Sequence, residues 1–208
     1  MQLDESCAIP ALDSYDALWV MGGPMDVWEE DVHPWLVAEK AAIREAVVAR
    51  GMPYLGFCLG HQLLAAALGG EVGKMKAPEV GILGVELTAE GRADPLFAGI
   101  SPRHDALQWH GAEVTVVPPD GVVLASSPLC PVQAMRVGRH AYGIQYHVEP
   151  TDRTVGEWGQ VPAYACALDA AMGAGALERL DAEVARRIPE FNAIARRLYD
   201  NWMRIVRG

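Results

Sequence analysis

The sequence predicts an α/β protein with a three-layer fold, in which helices flank a central, mostly parallel sheet with a small antiparallel sheet beside it. Two buried-strand patterns, at residues 16–21 and 53–57, are separated by a helical pattern that Pro34 opens and Gly51 ends. A helix between two strands favours a right-handed crossover and parallel pairing of the strands. A second helical pattern follows residue 57 and ends at Gly69–Gly70.

The middle and the tail of the chain have different patterns. Short connections between the middle strands favour antiparallel pairing. After residue 150, apolar side chains recur every three or four residues from Leu177 to Ile205, which predicts a core-facing helical stripe that Pro189 kinks or divides. We expect residues 1–150 to form the main domain and residues 151–208 a helical extension packed on it. The strands are predicted at 81–88, 105–110, 113–117, 121–127, 132–138 and 141–147.

The composition suits one globular domain and excludes several classes of function. The chain has 208 residues, of which 51% are hydrophobic, and a formal net charge of −10. This acidic balance disfavours binding to nucleic acid or to an anionic membrane surface. No apolar run approaches the roughly 20 residues that span a bilayer, and the N-terminus has no signal-peptide pattern. We therefore expect a cytoplasmic location.

The cysteines do not form a metal-binding or disulfide pattern. Four of them lie far apart and include no CxxC pair, so we predict no metal site and no other cofactor. Cys7, Cys130 and Cys166 are interpreted as small apolar packing residues. We assign no catalytic role to His61, and we interpret His33, His104 and His140 as solvated or loop residues.

Cys58 is the exception among the cysteines, because it lies in Gly56-Phe57-Cys58-Leu59-Gly60, between a strand pattern and a helix pattern. A nucleophile on a sharp strand-to-helix turn sits in a strained backbone conformation, and flanking glycines remove side chains that would clash. The helix N-terminus favours the negative charge of a thiolate. The backbone N–H of Leu59 is well placed to stabilise an oxyanion.

The remaining parts of a nucleophilic site are found on either side of Cys58 in the sequence. A thiolate needs a base and a group that orients the base. His147 and Glu149 end a strand-like segment two residues apart, so their side chains point to the same side and fit those two roles. Gly22-Gly23-Pro24 ends the first strand and can bring a second backbone N–H to the same oxyanion.

These three motifs, in this order, resemble class I glutamine amidotransferase domains, and above all the branch similar to the glutaminase domain of GMP synthase. The resemblance runs from about residue 10 to about residue 150, and it implies no cofactor. It implies a catalytic triad, an oxyanion hole and a glutamine pocket, to which the segment Trp109-His110-Gly111 contributes. The implied triad is Cys58, His147 and Glu149, the implied oxyanion donors are the N–H groups of Gly23 and Leu59, and the implied substrate-binding residues are Gln62 and His110.

The N-terminal region departs from this family pattern. Such domains begin with a strand and a helix before the strand that carries Gly-Gly-Pro, whereas only about fifteen residues precede Asp16 here. The first βα unit is therefore expected to be absent. An unpaired apolar strand edge favours pairing with another chain, so we include a homo-oligomer among the hypotheses.

Several functional interpretations remain open at this point. A glutaminase would need a separate synthetase chain to use its ammonia, because no Walker-type motif is present. The same triad could instead hydrolyse larger γ-glutamyl peptides or conjugates. An α/β-hydrolase with a cysteine nucleophile is disfavoured, because its acid would precede its histidine. The fourth alternative is a catalytically silent interaction protein.

Overall fold

A computed structural model of the chain describes residue 3 and residues 8–208, so Cys7 lies outside the described residues. The fold is α/β, as predicted, with seven strands in one sheet in the order β1-β2-β7-β6-β5-β3-β4. The strands are β1 Leu18–Val20, β2 Tyr54–Phe57, β3 Glu71–Leu87, β4 Arg103–Val116, β5 Gly121–Ser126, β6 Ala134–Val137 and β7 Ala141–Ile144. The helices are α1 Trp35–Arg44, α2 Leu59–Ala67, α3 Ala89–Ala93, α4 Thr154–Trp158, α5 Pro162–Met172 and α6 Ala176–Arg207. A π-helical turn, Glu45–Ala49, extends α1.

The sheet is mixed. Strands β1, β2 and β7 pair in parallel, whereas β7, β6, β5, β3 and β4 pair antiparallel in that order. The expected parallel and antiparallel parts thus belong to one continuous sheet, because β7 pairs with β2 on one side and with β6 on the other. The two strands predicted at 105–110 and 113–117 form the single strand β4.

Helices cover both faces of the sheet, and successive side chains of β2 are buried against opposite faces. Tyr54 packs with side chains of α1 and α2, such as Leu36 and Leu63. Leu55 packs in a second cluster, with Leu198 and Trp202 of α6. This alternation is the period-2 pattern of a strand that is buried on both faces.

Helix α6 differs from the predicted tail in one respect. The apolar stripe faces the core as expected, but Pro189 lies inside an undivided 32-residue helix. A proline costs a helix interior roughly 3 kcal/mol because it removes one N–H and crowds the preceding turn. Val184 and Phe191, on either side of Pro189, are fully packed in one cluster, and this burial offsets that cost.

Two predictions about individual side chains are wrong. His104 is buried in β4 rather than solvated, because its ring nitrogens lie 3.1 Å from the Ser101 carbonyl oxygen and 3.2 Å from the Tyr146 hydroxyl. Burial lowers its pKa, which keeps the ring neutral. Cys166 is exposed rather than packed, because α5 buries Leu168 on its opposite side. Cys130 is buried, as predicted.

The edge strand β1 completes the part of the sheet that carries the site. It pairs with β2 through Leu18, Trp19 and Val20, and it forms the end of the sheet within the described residues. Self-association through this edge stays a prediction. No helix in the described part of the chain combines the length and apolarity needed to cross a membrane.

Candidate active site

Cys58 occupies a strained turn between β2 and α2. Its backbone angles are φ 49° and ψ −106°, and α2 begins at the next residue, Leu59. A positive φ is uncommon for a residue with a side chain and costs roughly 1–3 kcal/mol, so the surrounding structure must hold this conformation. The strained turn predicted from the sequence is therefore present.

The two glycines that flank this turn allow the backbones to meet closely. A Cβ atom at Gly60 would lie 2.4 Å from the carbonyl oxygen of Val20 in β1. A Cβ atom at Gly56 would lie 2.5 Å from the carbonyl oxygen of Gly60. Carbon and oxygen atoms do not approach this closely, so any side chain here would push β1 and α2 away from the turn.

His147 is held between Glu149 and Cys58. Its Nδ1 lies 2.6 Å from Glu149 Oε1. The ring also lies close to Cys58, because a Cβ atom at Gly22 would be 3.6 Å from His147 Cε1 and 3.9 Å from Cys58 Sγ. The His147 backbone is anchored to β4 by reciprocal hydrogen bonds with Leu107, of 2.9 and 3.0 Å. The second carboxylate oxygen of Glu149 accepts the Val148 N–H at 2.9 Å. The structure thus brings the three predicted triad residues together.

His147 and Glu149 stabilise each other's charged form. Burial by itself lowers the pKa of His147, but the charges and hydrogen bonds of Glu149 and Cys58 raise it to about 10. Burial likewise tends to raise the pKa of Glu149, and the His147 imidazolium outweighs burial and lowers it. At neutral pH the imidazolium therefore lies beside the Glu149 carboxylate and close to the Cys58 sulfur, and a base next to a thiol is the arrangement that activates a cysteine nucleophile.

The predicted oxyanion donors lie beside this turn. Leu59 is the first residue of α2, and N–H groups in a first helical turn have no intrahelical acceptor. A Cβ atom at Gly23 would lie 3.1 Å from the Leu59 side chain, and one at Gly22 would lie 3.2 Å from Cys58 Cβ. The Gly22–Gly23 segment is therefore packed directly against Cys58 and Leu59.

A cavity of about 130 Å³ opens next to Cys58. Gln62, predicted to bind substrate, lines it and donates its amide N–H to Gln145 Oε1 at 3.1 Å, which leaves the Gln62 amide oxygen for a ligand donor. Its walls come from the Gly-Gly-Pro loop, the turn, β4 and α5: Gly23, Pro24, Met25, Asp26, Cys58, Leu59, Gln62, Trp109, His110, Gly111, Ala112, Ala163, Tyr164 and Ala167.

His110 also lines the cavity, but its ring nitrogens are engaged by the protein. Nδ1 lies 2.9 Å from the Ala112 carbonyl oxygen, and Nε2 lies 3.1 Å from both Gln108 Oε1 and Glu79 Oε2. His110 therefore supports the wall through Ala112 and Glu79, and its polar atoms are not left for substrate.

Glu79, His110 and Cys130 form a cluster that the sequence did not reveal. Their potential ligand atoms lie within 4.8 Å of one another, and all three residues are buried. Glu79 already accepts hydrogen bonds from Ser127 and Gln133, each at 2.6 Å, in addition to its contact with His110. Because each carboxylate oxygen accepts a hydrogen bond from a protein donor, we interpret the cluster as a structural hydrogen-bond network at the cavity wall.

Sequence reasoning missed the contribution of the C-terminal segment. Tyr164 of α5 lines the cavity, and burial together with the nearby Cys58 charge raises its pKa. Trp158 of α4 packs edge-on against His147, with ring centroids 4.8 Å apart, and also contacts Tyr164. The only available sequence signal was a group of aromatic side chains shortly after Glu149.

His61 has no catalytic position. It is fully buried in α2, and burial lowers its pKa to about 3, so it remains a neutral packing residue.

The sequence and the fold match known proteins. A sequence model of the family "Glutamine amidotransferase class-I" matches residues 1–157. The chain is 37% identical over 143 residues to one of the subunits of the glutamine-hydrolysing GMP synthase of Sulfurisphaera tokodaii, covering 68% of this chain and 71% of that protein. It is 38% identical over 115 residues to the corresponding GMP synthase subunit from Methanococcoides burtonii, where the match spans 55% of this chain and 59% of that protein.

Solved structures match a longer part of the chain. A glutamine amidotransferase from Thermotoga maritima superposes with a TM-score of 0.84 at 27% identity, covering 100% of this chain and 86% of that one. A glutamine amidotransferase from Methylobacillus flagellatus superposes with a TM-score of 0.83 at 28% identity, and the match covers 99% of this chain and 83% of that one. The helices beyond residue 157 are thus included in these structural matches. The chain belongs to the class I glutamine amidotransferase family, whose members are cysteine-dependent amide hydrolases.

Proposed function

We propose that the chain hydrolyses the side-chain amide of glutamine, with Cys58 as nucleophile, His147 as acid and base, and Glu149 as the group that orients His147. The observation that carries the proposal is the position of the His147 ring, which is hydrogen-bonded to Glu149 through Nδ1 and lies close to the Cys58 side chain. A strained turn, a helix N-terminus and a small cavity surround that pair, as nucleophilic catalysis requires.

The first half of the reaction forms a thioester. The Cys58 thiolate attacks the amide carbon of glutamine, and the N–H groups of Gly23 and Leu59 stabilise the tetrahedral oxyanion. Each such donor is worth about 3 kcal/mol in the transition state. The His147 imidazolium then gives its proton to the departing amine, so that the C–N bond breaks, ammonia leaves and a γ-glutamyl thioester remains on Cys58.

The second half releases glutamate. The neutral His147 takes a proton from water, and the resulting hydroxide attacks the thioester carbon. The same oxyanion donors stabilise this second tetrahedral intermediate, and its collapse breaks the C–S bond. Glutamate leaves, and Cys58 and His147 return to the thiolate–imidazolium pair.

The cavity favours glutamine over larger γ-glutamyl conjugates. Sites for drug-sized ligands span roughly 300–1,000 Å³, whereas this cavity of about 130 Å³ suits a ligand of amino-acid size. The leaving amine must lie next to His147, and the Trp158 ring packs edge-on against this histidine. A bulky amine substituent would have to displace this ring.

The ammonia would be used by a separate synthetase chain. The GMP synthase relatives of this chain are named as single subunits of a glutamine-hydrolysing synthase, which supports such a division of labour. The acceptor is not specified by any residue of the site. A reducing compartment such as the cytoplasm would keep Cys58 in its thiol form.

Glutamate release from glutamine by the purified chain, alone and with a GMP synthetase chain, tests this proposal. We expect Cys58→Ala to reduce activity below detection while circular dichroism shows that the fold is retained. Cys166→Ala is the matched control, because Cys166 is exposed on α5, and it should retain wild-type activity. Activity that survives Cys58→Ala would disprove the nucleophile. A Cys58 that resists iodoacetamide at mildly acidic pH would favour the catalytically silent alternative.

A further inference from the structure

Asp26 is an acidic side chain in the wall of the Cys58 cavity for which the proposed reaction has no use. It lies in the loop that follows Gly22-Gly23-Pro24 and is partly buried. Among the described residues that line the cavity, Asp26 carries the only carboxylate, and no lysine or arginine is present. The cavity therefore combines a nucleophile with one uncompensated negative side chain.

The surroundings of Asp26 leave its charge poorly balanced. Burial and the nearby Glu29 carboxylate raise its pKa, while Lys74 only partly opposes them. Glu29 is held close, because its Oε2 accepts the Asp26 backbone N–H at 2.8 Å. No ion pair with Asp26 forms within the part of the chain that the structure describes. A cation that entered the cavity would relieve this imbalance.

An amino-acid substrate supplies such a cation at a suitable distance. The amide carbon of glutamine is four bonds from its α-nitrogen, which places the ammonium group roughly 5 Å from the atom that Cys58 attacks. A cavity of about 130 Å³ that is lined by both Cys58 and Asp26 can contact both ends of one such molecule.

The wall of the cavity also offers a candidate donor for the substrate's α-carboxylate. The pairing of β3 with β4 is interrupted between Lys74↔Ala112 and Glu79↔His110, so Gly111 has no partner in the described ladder. Gly111 lines the cavity, and we expect its backbone N–H to be available there to the substrate's α-carboxylate.

We propose that the Asp26 carboxylate binds the α-ammonium group of the substrate and selects for γ-carboxamides that carry a free α-amino group. This inference rests on the proposed glutaminase function and adds the recognition of the amino-acid end. Asp26 is a specificity-determining residue, since it contacts the substrate far from the bond that breaks.

The test combines a change in the protein with a change in the substrate. Glutaramate has the same side-chain amide as glutamine but lacks the α-amino group. We expect Asp26→Asn to raise KM for glutamine about tenfold to hundredfold, the range for losing one charged hydrogen bond, with little change in kcat. With glutaramate, which cannot use Asp26, the same variant should change kcat/KM less than about threefold. The matched control is Asp31→Asn, which removes the same charge from an exposed position outside the cavity and should leave both substrates unaffected.

The outcomes separate this inference from the proposed function. Suppose that the wild-type protein hydrolyses glutamine, but that Asp26→Asn lowers kcat/KM equally for both substrates or for neither. The role of Asp26 is then disproved and the glutaminase function stands. If wild-type protein hydrolyses neither substrate, the proposed function fails. Should Asp26→Asn not fold, the wild type decides alone, because equal kcat/KM for glutamine and glutaramate would overturn the inference.

Discussion

Replacing Glu149 with glutamine should disable the site while preserving its shape. Both carboxylate oxygens are acceptors, one for His147 Nδ1–H at 2.6 Å and one for the Val148 N–H at 2.9 Å. A glutamine amide has only one acceptor oxygen, so in either orientation its NH₂ group meets a donor. The variant therefore loses one of the two hydrogen bonds as well as the charge.

The effect of this change can be worked out from the charge on His147. Its pKa of about 10 lies above the ordinary 6.5, a difference equivalent to about 5 kcal/mol in favour of the imidazolium. Burial opposes the imidazolium, so Glu149 and Cys58 must supply more than this amount. Removing one partner of a buried ion pair costs roughly 3–5 kcal/mol of folding stability. Replacing the acid of a catalytic triad with its amide lowers kcat by up to about 10⁴-fold, so we expect a fall in kcat of roughly 10²–10⁴-fold.

The pH dependence of stability gives a second readout with a defined sign. A raised histidine pKa stabilises the fold fully below pH 6.5, and this contribution is lost as pH rises through about 10. The lowered pKa of Glu149 stabilises the fold above pH 4.5, and its contribution is lost as pH falls. In Glu149→Gln, the decline in unfolding free energy between pH 6.5 and 10 should be much smaller than in wild type.

The assay is steady-state glutamate release, together with urea unfolding at pH 6 and pH 9.5. Glu157→Gln is the matched control, since it removes an exposed carboxylate that pairs only with Arg153 on the surface. It should change kcat less than about twofold. Wild-type kcat in Glu149→Gln, or an unchanged pH dependence of unfolding, would refute the assignment of Glu149 as the partner that sets the charge of His147.

Two further predictions concern the turn and the aromatic side chains. Gly60→Ala places a methyl group 2.4 Å from the Val20 carbonyl oxygen, so urea unfolding should show a loss of about 1–3 kcal/mol and activity should fall. The control is Gly156→Ala in α4, which has open space around it and should be neutral or stabilise the fold by up to about 1 kcal/mol. Equal losses of unfolding free energy in the two variants would contradict this account. Trp158→Ala removes the ring 4.8 Å from His147 and should raise the kcat/KM for γ-glutamyl dipeptides relative to glutamine at least about tenfold. An unchanged ratio would show that the ring does not limit the leaving group, and Trp28→Ala, at an exposed position, is its control.

The local parts of the site could be predicted because each depends on a few adjacent residues. Gly56 and Gly60 around Cys58 specify a tight strand-to-helix turn, and the structure has φ 49° at the cysteine. His147 and Glu149 are two residues apart on an extended segment, so their contact also follows from local geometry. The βα order up to residue 67 was predictable for the same reason, since periodicity and glycine stops are local signals.

The remaining features depend on contacts between segments that are distant in the chain. The Glu79–His110 contact forms only because β3 and β4 pair with an interrupted register. The sequence predicts that His104 is solvated. Its Nε2 instead hydrogen-bonds the hydroxyl of Tyr146, 42 positions away, and this bond permits its burial. Pro189 predicts a break in the helix, yet the packing of α6 against the sheet outweighs the local preference.

The sequence by itself determined the family and singled out the proposed nucleophile, its base and the group that orients the base, because a strained turn and an extended His-x-Glu segment are encoded within a few residues each. Only the tertiary structure decided what surrounds them. It brought Asp26 and Tyr164 to the walls of one cavity, set Trp158 against His147, and hydrogen-bonded the ring of His110 to the wall of that cavity. These placements result from how β4, α4 and α5 pack together, and side-chain packing between distant segments cannot be read from local sequence patterns.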